Sequence, residues 1–94
     1  MLTSKIHPGI HLKELLAEYN ISQSALARHI QVKPGLINEI CNGKRGISVE
    51  IAQSLAISFG NTAEFWLNLQ IQYELGKAKK MKYSFGKLKL KMAA

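Results

Sequence analysis

The sequence predicts an all-α fold of five helices followed by a basic C-terminal tail. Three observations predict it. Apolar residues recur at three- and four-residue spacing from about residue 8 to residue 79. Capping and terminating residues punctuate that pattern at Pro8, Ser22, Asn42-Gly43, Ser48, Gly60 and Thr62. Strict alternation with period two is confined to Lys87–Met92.

The first helix is expected from about Pro8 to Tyr19. Proline suits the first helical position, where its missing N–H costs nothing. Leu12, Leu15, Leu16 and Tyr19 form its apolar stripe. Ser22 caps the second helix, which ends near Ile30. The third runs from about Lys33 to Cys41 and stops at Asn42-Gly43, a left-handed terminator. After the loop Lys44-Arg45-Gly46-Ile47, Ser48 caps a fourth helix, about Val49 to Phe59, with Ile51, Ala52, Leu55 and Phe59 inward. Gly60 ends it. Asn61 or Thr62 caps the fifth, about Ala63 to Lys79. No internal repeat is visible.

Ninety-four residues, 47% of them hydrophobic and only two of them proline, suit one domain with a modest core. Residues 1–80 read as that domain and 81–94 as a flexible basic tail. No apolar run approaches the roughly 18 residues of a membrane span, and no apolar h-region heads the chain. The single cysteine, Cys41, cannot form an internal disulfide and fits the reducing cytoplasm. The net charge of +7 suggests a polyanionic partner, but its distribution weakens that argument. Residues 1–76 hold six basic and six acidic side chains; the whole excess is seven lysines between Lys77 and Lys91.

The segment Ile21–Lys44 reads as two short helices joined by a tight turn. Leu26, Ala27 and Ile30 share one face, Ile37 and Ile40 another, and Val32 pins the corner between them. Ala27 is small enough for two crossing helices to approach closely. Such a helix-turn-helix holds its second helix out from the body, where it can enter a DNA major groove.

Gln23, Ala27 and Asn42-Gly43-Lys44 match the pattern of phage-repressor (lambda repressor-like) helix-turn-helix domains. Further motifs extend the likeness over residues 7–76: His7-Pro8-Gly9 with His11-Leu12, Asn42 to Ser48, and Glu64-Phe65-Trp66-Leu67-Asn68-Leu69-Gln70. With these the chain resembles the HigA-type antitoxins of bacterial toxin–antitoxin modules. The resemblance implies a DNA-binding antitoxin that neutralises a cognate mRNA-cleaving ribonuclease toxin and represses its own operon. It also implies a homodimer on an inverted-repeat operator. Two other readings stay open: a stand-alone phage-type regulator with no toxin, and a protein-interaction adaptor whose reading helix is degenerate.

Phosphate contacts position such a protein and base contacts specify the sequence. Gln23, at a helix N-terminus, is expected to hold a phosphate, and Asn42, Lys44 and Arg45 to clamp another. The reading positions fall on Lys33, Pro34, Gly35, Leu36, Asn38 and Glu39. Pro34 and Gly35 have no side-chain hydrogen bond to offer. Lys33 suits guanine, Asn38 adenine and Glu39 cytosine, while Leu36 either touches a thymine methyl or extends the core. Specificity should therefore lean on few contacts and on DNA shape. Gln31 stands where many relatives place glycine, and strain follows there if its φ is positive.

The fifth helix carries apolar residues on more than one face, more than a single core contact needs. Phe65, Trp66, Leu69 and Tyr73 are the expected dimer contacts, with Trp66 or a neighbour between protomers. The tail admits three readings: a solvated segment, a strand that pairs with a partner, or a phosphate-binding arm. Leucines alternating with its lysines make poor phosphate contacts, so the tail is expected to add little to the salt dependence of DNA binding. Catalysis has no support. His7 and His11, four residues apart, lack a third metal ligand, and capping or packing is their expected role. Cys41 with His29 lacks an orienting group. No metal or other cofactor is expected.

Overall fold

The computed structural model describes residues 6–92 and contains five helices. They are α1 (Pro8–Glu18), α2 (Gln23–Ile30), α3 (Pro34–Cys41), α4 (Val49–Phe59) and α5 (Ala63–Lys79). Caps set their starts. Ser22 accepts from the Ala25 N–H (3.0 Å), Ser48 from Ile51 (3.1 Å) and Thr62 from Phe65 (3.0 Å). Asn61 is thereby free for another partner, the Trp66 indole N–H at 2.8 Å. Lys33 precedes Pro34 as an N-cap without a side-chain bond, so α3 begins at the proline.

Helices α1 to α4 end alike. A residue in the left-handed region follows each, and the next N–H returns to a carbonyl five residues back. The bonds are Ile21 to Leu16 (2.8 Å), Val32 to Ala27 (2.9 Å), Lys44 to Glu39 (2.9 Å) and Asn61 to Ala56 (3.1 Å). Gly43 takes φ +74° at no steric cost, whereas Gln31 (φ 63°) and Asn20 (φ 56°) take it with a side chain. Gln31 therefore carries the strain that a positive φ implies.

The core draws on every helix: Leu12 and Leu16, Leu26 and Ala27, Ile37, Ile40 and Cys41, Ala52, Leu55 and Ala56, and Trp66, with Ile47 from the loop. Ala27 is wholly buried at the crossing of α2 and α3, and Val32 packs half-buried at their corner. Two expectations need correction. Tyr19 was placed on the apolar stripe of α1, but α1 ends before it and it is 60% exposed, leaning on Phe59. Trp66 was placed between protomers, but it is 0% exposed within its own chain. Its large ring fills the centre of a core too small to leave it outside, so it has no surface for a partner.

Gly9 marks the tightest approach in the fold. A Cβ there would run into the Ile40 carbonyl, so only glycine lets α1 lie against the end of α3. Residues 81–92 are exposed and belong to no helix or strand. They project from the body: the radius of gyration is 17.2 Å, against about 12 Å for a compact chain of this length.

Candidate nucleic-acid interface

Helix α3 buries Ile37, Ile40 and Cys41 and turns Lys33, Pro34, Gly35, Asn38 and Asn42 outward. The period of 3.6 residues dictates this division, because the apolar residues recur at three-residue spacing along one side. The outward face carries a chain of three amides. Asn38 Nδ2 donates to Gln23 Oε1 (3.2 Å), and Asn42 Nδ2 donates to Asn38 Oδ1 (3.1 Å). The start of α2 is thus tied to the middle and end of α3 across an exposed surface.

Beside this chain, Lys33, Gly35, Leu36, Glu39 and Arg45 line a shallow cleft. Arg45 Nε donates to Glu39 Oε1 at 2.8 Å, with both side chains about half exposed. An exposed pair of this kind contributes roughly 0–1 kcal/mol. Its consequence is geometric, since Glu39 faces Arg45 across the cleft and holds it next to the first turn of α3. Leu36 is half-buried and packed against the core. Lys44 is exposed in the loop, and its backbone N–H closes the end of α3. All nine residues expected to meet DNA therefore lie on α3, at its N-cap, on the loop after it, or at the start of α2. They form two adjoining groups, the amide chain and the cleft, with Lys44 beside them.

The four expected dimer residues are not on one outward face. Trp66 is buried, as above. Phe65 packs edge-on against Trp66 (5.3 Å between ring centroids) and His11 (5.1 Å). Tyr73 is half-buried edge-on against His7 (4.8 Å), and Leu69 packs partly buried against the core. The outer side of α5 carries Ile71 and Leu75 instead, each about half exposed. At about 100° per residue these lie close to half a turn from Trp66.

Gln70, the last residue of the Glu64–Gln70 motif, has a task that the motif does not reveal. Its Oε1 accepts the Ile47 N–H at 3.0 Å and its Nε2 donates to Glu74 Oε2 at 2.7 Å. It pins the loop that carries Lys44 and Arg45 to α5. A polar residue one turn after Trp66, on the inward side of an otherwise apolar helix, was the available signal.

His7 and His11 are taken up by capping and packing, while His29 is exposed. His7 Nδ1 accepts the Gly9 N–H at 2.9 Å and caps α1. Burial lowers its pKa from 6.5; Glu74 and the Arg45 backbone act against that shift, and Lys77 adds to it. Cys41 is buried, and desolvation pushes its thiol pKa up against the opposing charge of Lys13. That is the reverse of what an activated thiolate requires.

Comparison with known proteins agrees with this geometry. A helix-turn-helix family model matches residues 12–66. The fold superposes on Pseudomonas aeruginosa antitoxin HigA, solved with the higBA promoter, at a TM-score of 0.77 and 44% identity, over 79% of this chain and 82% of that one. It superposes on an addiction-module antidote protein of the HigA family from Coxiella burnetii at a TM-score of 0.76 and 42% identity, over 81% and 84% of the two chains. Virulence-associated protein I of Dichelobacter nodosus is 42% identical over 80 residues, 84% of this chain and 74% of that protein. On these grounds the chain belongs to the helix-turn-helix family of DNA-binding proteins, in its branch of HigA-type antitoxins.

Proposed function

We propose that this chain is a cytoplasmic antitoxin and autorepressor that binds an operator as a homodimer and neutralises a ribonuclease toxin. The observation that carries the reading is the outward face of α3, where Asn38 stands in an exposed amide chain anchored to Gln23. Asn38 is the base reader, suited to adenine. Lys33 and Leu36 reach the groove beside it, and Gly35 gives a close, side-chain-free approach. Gln23, Asn42, Lys44 and Arg45 hold phosphates, and Glu39 keeps Arg45 in place. A two-fold dimer sets two reading helices about 34 Å apart, one turn of DNA. Support for promoter binding comes from the Pseudomonas relative, solved with its promoter.

The test is a fluorescence titration of operator and scrambled duplexes. Asn38→Ala should weaken operator binding by roughly 1–3 kcal/mol and spare scrambled DNA. Gln23→Ala should weaken both about equally. Equal losses on both duplexes for Asn38→Ala would remove it as a base reader. The exposed Pro34 and Gly35 favour a second reading, a protein-interaction adaptor, and a preference for the operator would exclude it. A stand-alone regulator would bind the operator but have no ribonuclease gene beside its own.

A further inference from the structure

The seven lysines of residues 77–91 have no task in the reading above, on which the following inference rests. Several contacts locate their origin. Helix α5 runs back along α1, His11 meeting Phe65 and His7 meeting Tyr73. His7, at the start of α1, lies against Gly43 at the end of α3. Gln70 holds Ile47 of the following loop. Lys77 Nζ sits 5.3 Å above the Tyr73 ring. The phosphate clamp of Asn42, Lys44 and Arg45 and the point where α5 leaves the body are therefore at one end of the molecule. From Tyr73 to Lys79 the helix continues about 9 Å at 1.5 Å per residue. The exposed segment 81–92 can then reach about 40 Å when extended. From sequence the tail is expected to add little, because leucines alternate with its lysines. The structure puts the start of that tail near the clamp.

We propose that residues 77–91 form an arm that binds the DNA phosphate backbone flanking the site read by α3. The body carries no net charge by count, so these lysines hold the whole of the excess that could displace counterions. When the segment is extended on DNA, alternation places Lys87, Lys89 and Lys91 on one side, about 6.6–6.8 Å apart. That is about twice the 3.4 Å axial step between phosphates on one DNA strand. The leucines on the other side leave this row unbroken. The arm adds affinity and no sequence preference.

The test uses the full chain with an operator duplex and a random-sequence duplex, with affinity measured across a salt series. Wild type is compared with a variant carrying Lys82→Gln, Lys87→Gln, Lys89→Gln and Lys91→Gln, and separately with Arg45→Ala. All four lysines are exposed, so the variant should melt like wild type. The slope of log affinity against log salt should become shallower by about 3 to 4 per protomer. The ratio of operator to random-sequence affinity should stay constant. An unchanged slope, or a loss of affinity without a change in slope, overturns the arm and leaves the tail to a protein partner. The clamp is judged separately: Arg45→Ala should lower the slope by about 0.9. If it does not while the lysine variant does, the clamp fails and the arm stands.

Discussion

His7 combines a cap with a buried contact, and its protonation state links the two. Nδ1 accepts a hydrogen bond only while it is unprotonated, and burial also favours the neutral ring. Glu74 and Lys77 face the ring from α5 with opposite effects, and the Arg45 backbone approaches it from the loop. Because the folded pKa lies below 6.5, the unfolded chain binds more protons as pH falls. The stability that His7 contributes is therefore complete above its unfolded pKa and is lost as pH drops through 6.5 to the folded value. Urea midpoints should fall between about pH 7 and pH 5, and His7→Asn should flatten that part of the profile. Gly9 gives a second test at this scale. Alanine within a helix is ordinarily better than glycine by about 0.5–1 kcal/mol. Here the added methyl meets the backbone of Ile40, which cannot move aside as a side chain would. Gly9→Ala should therefore destabilise, by about 1–3 kcal/mol in a denaturant titration.

At the scale of elements, α5 supports the loop that α3 leaves behind. Without Gln70 the half-buried Ile47 N–H has no acceptor from α5, at a cost of about 1–3 kcal/mol. Gln70→Leu should lower stability by that amount and weaken binding to every duplex, since Lys44 and Arg45 lose their fixed position. Gln70→Glu retains an acceptor oxygen but sets a carboxylate against Glu74. It should recover part of the loss, and more of it at high salt. Thermal melts and salt-dependent titrations of the two variants check this. Equal affinity for wild type and Gln70→Leu would show that the loop needs no such support.

For the whole molecule, the proposed homodimer requires one side of α5 to be free to meet a second copy. Trp66 belongs to the core, and truncating a buried aromatic costs about 3–5 kcal/mol. Trp66→Ala should therefore unfold the chain rather than yield folded monomers. Ile71 and Leu75 are the apolar residues left on the outer side, and a two-fold contact along it is the arrangement we propose. Ile71→Lys with Leu75→Lys should stay folded, sediment as a monomer and lose operator affinity, because one half-site would be read alone. A wild-type chain that sediments as a monomer at high micromolar concentration excludes this interface.

Local chemistry determined the helices. His7, Ser22, Ser48 and Thr62 start four of them through bonds to residues two or three positions away, and Gly43 and Gly60 end two through the left-handed backbone. Such effects act within one turn and can be read directly from the chain. The division of α3 into an inward apolar side and an outward polar side follows from period alone, as does the pairing of Asn38 with Asn42 one turn later, whereas the bond from Asn38 to Gln23 needs the packing of α3 on α2. Tertiary structure decided whatever depended on distant segments. It placed Trp66 in the core rather than between protomers, because an apolar helix with no single stripe does not itself say which side is buried. It gave Gln70 its bond to a loop 23 residues earlier and made Gly9 obligatory through a carbonyl on another helix. It also set the first lysines of the tail near the loop that carries Lys44 and Arg45, since the path of α5 along α1 is fixed by packing between helices remote in sequence.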